Sequence, residues 1–407
     1  MNIYQKIILN KTGNFYSDNR SCSLSLDWVM VHDGSIVMVE KYYEEHGFNS
    51  VFDPERIFVV FDHIYPANNA LTANLHMKAR SFIKKYKIKN FYEGGHGISH
   101  QLLLENEAIQ AGDILVGGDS HTPTIGAYSV LGLGAGATDI TYALLTGEIW
   151  FRMGKTVRIN LIGSPHETIS AKDIVFYIAQ SDYSHTLHDS YIAYSSEHDF
   201  PLDWRAVLCN MAPELGAVTA LFEINISYIK SAPLRYKEII THFNSDSDAC
   251  FDEVINIDLN KVVPFIAYPH SVSNITPYSK KKNIKVDVVF IGTCTGGRLE
   301  DLISVENILK NTSNSIKTRL IINPASRNVY KQAVSLGLIE KFIELGATIL
   351  PPSCGPCLGQ SLGALADGEV CVSTANRNYK GRMGNKNAHI YLCSPETAAR
   401  IAIEGIL

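Results

Sequence analysis

No run of apolar residues in this 407-residue chain approaches the roughly 18 that a membrane-spanning helix needs, and the opening Met-Asn-Ile-Tyr-Gln-Lys lacks the apolar core of a secretory signal. A membrane span is therefore not expected. A basic excess is missing too. Lys and Arg number 36 against 41 Asp and Glu, for a formal net charge of −5 and a pI near 6.3, whereas dedicated nucleic-acid binders carry a strong basic surplus. The short Lys280-Lys281-Lys282 run reads as a solvated linker. Internal repeats and any disordered or fibrous bias are absent. With 46% hydrophobic and 19% charged residues, the chain is a soluble globular one, long enough for two or three domains with real cores. Cysteines are few, eight in all, and without an export signal they point to free or metal-bound thiols in a reducing compartment, hence to the cytoplasm.

What is present alternates between strand-like and helix-like segments, which favours layered α/β domains over an all-β or bundle fold. Residues 56–61 read as a buried strand feeding Asp62-His63, and 70–86 as a long amphipathic helix. Residues 114–116 form a short strand ending at Gly117-Gly118-Asp119-Ser120-His121-Thr122, whose glycines permit a tight turn. Polar side chains are thus presented at the carboxyl end of a strand, where open α/β sheets place their sites. A helix is expected over 141–153, a strand over 156–163, and a linker over 271–283, rich in Ser, Asn, Pro and Lys. Strands at 286–291, 319–322 and 348–350 follow, each running into a Gly/Pro/Ser-rich loop, and 385–407 reads as a closing strand and helix. The implied division is 1–155, 156–275 and 276–407. Gly132-Leu-Gly-Ala-Gly-Ala137 matches a dinucleotide fingerprint only on paper, lacking the required context, and reads as small-residue packing.

Three of the cysteines stand apart: Cys294 in Gly-Thr-Cys-Thr-Gly-Gly-Arg, and Cys354 and Cys357 in Ser-Cys-Gly-Pro-Cys-Leu-Gly. Iron-sulfur clusters are normally held by four thiolates, so three on a cubane leave one iron open as a Lewis acid for a hydroxyl or carboxylate oxygen. Other readings are weaker. A thioredoxin-type Cys-x-x-Cys pair belongs after the first strand of a small domain, not near the end of a long chain. Zinc lacks a nearby fourth ligand in a second short-spaced pair. Plain buried thiols suit Cys22, Cys209, Cys250, Cys371 and Cys393 better.

The blocks Gly117-Gly118-Asp119-Ser120-His121-Thr122, Gly292-Thr-Cys-Thr-Gly-Gly-Arg298, Cys354-Gly-Pro-Cys-Leu-Gly359 and Asn376-Arg377-Asn-Tyr-Lys-Gly-Arg382 resemble, in order, the signatures of the aconitase superfamily, closest to the large subunits of 3-isopropylmalate dehydratase and homoaconitase-like enzymes. The resemblance implies three α/β/α-layered domains around a cleft holding a 4Fe-4S cluster on Cys294, Cys354 and Cys357. It implies catalytic roles for Asp62, His63, His100, Asp119, His121 and Glu214, the last within Cys209-Asn-Met-Ala-Pro-Glu. Ser120, Arg377 and Arg382 would bind substrate, a guanidinium fork suiting carboxylates better than a lysine. His32, His46, His76, His166, His185, His188, His198, His242, His270 and His389 are read as ordinary core or surface histidines, and His96 is left open.

The chemistry agrees with that assignment. Dehydrating a hydroxy di- or tricarboxylic acid requires a base for a weakly acidic C–H, an acid for the leaving oxygen and charge stabilisation at the carboxylate. Family members also use a swivelling fourth domain, which supplies the base and further arginines. None is recognisable before Leu407, so a separate small subunit is expected as partner, with neither nucleic acid nor membrane. The sequence departs from the family at Thr295-Gly296-Gly297-Arg298, where relatives commonly carry Asn in place of Gly296. The expected activity is a hydro-lyase on a substituted malate, 3-isopropylmalate in leucine synthesis first, with homoaconitate, a methyl- or dimethylmalate, or a specialised-pathway analogue as alternatives. RNA binding by the cluster-free chain and an inactive paralogue that keeps the cluster only for structure are the readings of other classes.

Overall fold

A computed structural model describes residues 1–13, 21–224, 243–310 and 316–407. Three open sheets carry the architecture. In the first, all-parallel sheet the strands run in space as Asn90–Tyr92, Ile57–Val60, Trp28–His32, Ile114–Gly117 and Leu131–Gly134. Ile57–Val60 is buried along its whole length, as expected of a β-branched strand covered on both faces. The second sheet, also parallel, is ordered Thr219–Phe222, Ser190–Ser196, Lys155–Ile162, Glu253–Asp258. The third has seven strands: Ile275–Pro277, Phe265–Ala267, His389–Leu392, Val370–Ser373, Val288–Ile291, Arg319–Ile322 and Thr348–Ile349, of which the first two run antiparallel to their neighbours.

Each large sheet has a point where the chain reverses its direction of progress across the sheet. In the first it lies between Trp28–His32 and Ile114–Gly117, in the third between Val288–Ile291 and Val370–Ser373. Loops leaving the carboxyl ends of adjacent strands diverge there and open a crevice. Asp62-His63, the Asp119 turn, Cys294 and Arg377 leave from these strands or their neighbours, whereas His100, Glu214 and the turn of Cys354 and Cys357 come in from elements further away. Apolar packing is continuous between the second and third sheets, since Val157, Ile159 and Ile192 share one core with Val288, Phe290, Cys371 and Ile390.

Helix boundaries follow local chemistry. Ala70–Lys85 starts at Asn69, whose side chain accepts from Thr72 N, and buries Thr72, His76, Ala79, Phe82 and Ile83, a spacing that lines one face of a helix. Pro395–Glu404 is capped by Ser394 and stopped by Gly405 in the left-handed conformation.

Three expectations are corrected. The helix expected over 141–153 is Ala137–Thr146, ended by Gly147 at φ 72°, and Glu148–Arg152 is a strand pairing antiparallel with Ser21–Ser25. The glycine supplies a left-handed cap. Beyond it Ile149 and Phe151 are buried while Trp150 and Arg152 are exposed, the period-2 alternation of a half-buried strand. The segment 271–283 is not a simple linker, because Ile275–Pro277 forms the edge of the third sheet, a position that tolerates proline. The third sheet therefore draws on residues from Phe265 onward. Finally, Cys250 is exposed, while Cys22, Cys209, Cys371 and Cys393 are buried.

Candidate active site

Asp119 is the hub. The turn after strand Ile114–Gly117 places it in the crevice of the first sheet, where Oδ1 faces His100 Nε2 at 2.8 Å and accepts His121 N at 2.7 Å, and Oδ2 faces His63 Nε2 at 3.2 Å. Its turn needs close backbone approach from the next strand. A Cβ on Gly134 would lie 2.8 Å from Asp119 O and 3.0 Å from Ser120 Cα, and one on Gly132 would lie 2.5 Å from Thr122 O. Gly132 and Gly134 thus serve packing against the Asp119 loop. Burial would raise the Asp119 pKa, but His100, His121 and His63 hold it well below the carboxylate range.

His63 is fixed at its other nitrogen by Asp62, Nδ1 to Oδ1 2.6 Å, while Asp62 Oδ2 accepts Ser99 N at 2.6 Å. Behind the pair, the His32 ring stacks on His63 at 3.8 Å between centroids and reaches Gly118 O through Nε2 at 2.9 Å. Asp33 accepts the backbone N–H groups of His63 and Ile64 at 3.0 and 2.8 Å. Burial works against ionisation of Asp33, yet hydrogen bonds from His32 and His76 and the His63 charge carry its pKa well below the usual range.

The second sheet contributes Asn210, at the end of helix Leu202–Asn210, and Glu214 in the turn Pro213–Leu215. Glu214 Oε1 faces His121 Nε2 at 3.0 Å and accepts Arg377 Nε at 2.6 Å, whereas its Oε2 is buried without a hydrogen-bond partner among the described residues. The two histidines beside Asp119 are driven apart. Burial depresses His100, helped by the His121 charge and opposed by Asp119. For His121 burial is outweighed by Glu214 and Asp119, and its pKa rises to about 9. At neutral pH the pair is one neutral and one charged imidazole, an arrangement that separates acid from base roles.

The third sheet brings the cysteines. Cys294 follows strand Val288–Ile291, and Asn376 and Arg377 follow Val370–Ser373, so both loops flank the reversal point of that sheet. Cys294 Sγ accepts from Asn210 Nδ2 at 3.1 Å and Asn376 Nδ2 at 3.6 Å; Cys357 Sγ accepts from Arg382 at 3.4 Å; Cys354 Sγ lies 3.9 Å from His63 Nδ1. Asp62 O accepts Cys354 N at 2.8 Å, tying the cysteine turn to the His63 loop. All three thiols are free, and burial pushes Cys294 up to about 12, so binding metal must displace a proton.

Donor sets whose ligand atoms all lie within 4.8 Å of one another occur among the described residues at His32, Asp33, Asp62 and His63, and at His100, Asp119 and His121. The three thiols do not form such a set. They are spaced too widely for one zinc ion, with Zn–S bonds of about 2.3 Å, while N–H donors aimed at sulfur suit an iron-sulfur group. The residues therefore fit a cluster better than a single ion. The Asp62 to Asp33 set is already consumed by hydrogen bonds within the protein.

Of the predicted site residues, Asp62, His63, His100, Asp119, His121, Glu214, Arg377, Arg382 and the three cysteines meet in one connected network. Ser120 shares the Asp119 turn but is exposed. Arg382 is directed at Cys357 and the Tyr379 hydroxyl, 3.3 Å away. His32, read as ordinary, belongs to the network, as does Asp33, which the sequence alone did not single out. Asn210 and Asn376 were within quoted motifs yet passed over, their polarity beside cysteine and arginine being the available signal. His96 sits apart, bonded to Glu93 O and facing Arg327. His242 lies outside the described residues. The departure at Gly296 has a local counterpart: a Cβ there would lie 2.4 Å from the Thr374 side chain, whose hydroxyl bridges Gly292 N and O.

Comparison with known proteins agrees with this geometry. The model of the Aconitase family (aconitate hydratase) matches residues 5–405. The chain is 39% identical to the methanogen homoaconitase large subunit of Methanocaldococcus jannaschii, covering 100% of this chain and 99% of that one. It is 37% identical to a 3-isopropylmalate dehydratase large subunit of Methanopyrus kandleri (98% and 96% covered) and 39% to that of Pyrococcus furiosus (100% and 97%). Aconitase X of Thermococcus kodakaraensis shares the fold, with a TM-score of 0.55 at 13% identity over 100% of this chain and 96% of that one. No helix among the described residues is long and apolar enough to cross a membrane. Motif order, site geometry and full-length similarity together place this chain in the aconitase family, whose members carry an iron-sulfur cluster.

Proposed function

We propose that this chain is the large subunit of a hydro-lyase that dehydrates and rehydrates a substituted malate, with 3-isopropylmalate the first candidate. The observation that carries the reading is the junction of three free thiols with the Asp119 histidines and the Glu214–Arg377 pair in one crevice. Cys294, Cys354 and Cys357 would hold a 4Fe-4S cluster, which when bound supplies an iron with an open position as Lewis acid toward the substrate's oxygens. His121, charged at neutral pH, holds a proton at Nε2 between itself and Glu214. Asp119 orients that ring and keeps His100 and His63 fixed beside it. Arg377, partly exposed and bonded to Glu214 only through Nε, is placed to engage a substrate carboxylate.

A small subunit would supply the base and further carboxylate contacts; the designation of the relatives as large subunits supports this. Eight free cysteines support residence in the cytoplasm. The methanogen homoaconitase relative, as similar as the dehydratases, favours a longer tricarboxylic substrate as the second reading. The test is anaerobic co-purification with a swivelling-domain small subunit from the same genome, followed by the ultraviolet rise of the alkene over isopropylmalate, methylmalates and homocitrate. A rise with isopropylmalate supports the first reading and one with homocitrate alone the second. Silence across the panel from a cluster-loaded complex refutes both.

A further inference from the structure

Lys172 is the second residue of helix Ala171–Gln180 and one of the largest fully buried side chains, 1% exposed. Its ammonium reaches out of the second sheet's layer into the third. There it donates to Thr295 Oγ1 at 3.2 Å, to Ala375 O at 3.0 Å and to Thr374 O. Thr295 follows the ligand Cys294, and Thr374-Ala375 leads into Asn376 and Arg377. Thr295 Oγ1 also donates to Thr374 O at 2.9 Å. One side chain thus clamps both loops at the reversal point of the third sheet.

All its acceptors are neutral, and among the described residues no carboxylate comes within ion-pair distance of its nitrogen. Burial pulls its pKa down to about 8, so at neutral pH it remains a cation. A buried cation without a directly bonded ion partner is costly, and opposite charge nearby lowers that cost. Cys393 and Asp301 act on it electrostatically, followed by Cys294 and Cys357, and three thiolates gathered on a metal-sulfide core would add further opposite charge on the side of Cys294 and Cys357.

We infer that Lys172 is a positioning residue and the built-in counter-charge for the iron-sulfur group held by Cys294, Cys354 and Cys357. The inference rests on the cluster assignment above. Removing a buried cation disfavours the more negative, reduced state of a cluster, so the midpoint potential falls when Lys172 is neutralised.

The experiment uses the full chain, reconstituted anaerobically with ferrous iron and sulfide, with the midpoint potential read by electron paramagnetic resonance during reductive titration and iron loss timed against a chelator. Lys172→Met is expected to lower the potential and to release iron faster than wild type. Lys172→Gln keeps a donor toward the carbonyls, guards against a folding defect and must show the same fall. Thr295→Val removes one arm of the clamp but leaves the cation, and is expected to keep the wild-type potential. An unchanged potential in the Met and Gln variants overturns the inference, as does an equal fall in Thr295→Val. Wild-type chain that takes up no iron would sink the cluster assignment itself, an outcome distinct from wild-type loading with unaltered variants.

Discussion

Glu214→Gln tests the electrostatic logic of the crevice directly, since it removes one charge while preserving the shape of the side chain. His121 has its pKa raised from 6.5 to about 9, with burial opposing and Glu214 the largest favourable influence. That rise corresponds to about 3 kcal/mol in favour of the charged ring. Because the folded value lies above the unfolded one, the stabilisation is fully present below pH 6.5 and is lost as pH climbs through about 9. In Glu214→Gln the charge of Asp119 remains, so the His121 pKa is expected to drop by roughly 1–2 units. The pH-dependent loss of stability between 6.5 and 9 should shrink by about 1.5–3 kcal/mol. Two measurements on the cluster-free chain check this: nuclear magnetic resonance titration of the His121 ring, and urea unfolding at pH 6.5 and pH 9. A ring that titrates as in wild type, or an unchanged stability difference between the two pH values, would refute the assignment of Glu214 as the partner that keeps His121 charged.

Cys357→Ser should abolish stoichiometric iron and sulfide binding and the visible absorbance of the reconstituted chain while leaving the unfolding midpoint of the cluster-free form nearly unmoved; a large fall in that midpoint would instead mark the thiol as structural. Gly134→Ala drives a methyl into Asp119 O and Ser120 Cα, so it should cost about 1–3 kcal/mol in chemical denaturation and reduce turnover, whereas wild-type stability would show that the strand and turn can separate freely. Arg377→Lys trades a planar fork for a point charge and should weaken substrate binding roughly 10–100-fold, about 1.5–3 kcal/mol, the range of a hydrogen bond to a charged group; an unaltered KM in the reconstituted two-subunit enzyme argues that Arg377 serves Glu214 alone.

Much of the fold was legible from local signals because those signals act locally. Asn69 and the helical spacing from Thr72 to Ile83 define one helix, and Ser394-Pro395 with Gly405 define another. The errors arose where two local patterns abut. Across 141–153 a helix and a strand share an apolar run, and only the left-handed Gly147 separates them. At 271–283 a polar composition concealed an edge strand, whose hydrogen bonds come from Phe265–Ala267 rather than from its own residues. His32 was misread, and Asp33 passed over, for a related reason. Nothing within Val31-His32-Asp33-Gly34 states that the ring will stack on His63 or that the carboxylate will hold the backbone of the His63 loop.

By itself the sequence carried the resemblance to the aconitase family, through three cysteines in Gly/Pro-rich loops, the Asp119 turn and the Arg377 segment, and with that resemblance the expected reaction chemistry. The tertiary structure alone decided which imidazole is neutral and which is charged, which oxygen of Glu214 is left free, and that Lys172, remote in sequence from both, clamps the loops of Cys294 and Arg377. Ionisation and pairing depend on groups that burial brings within a few ångströms, and those groups come from chain segments as far apart as Asp62 and Cys354.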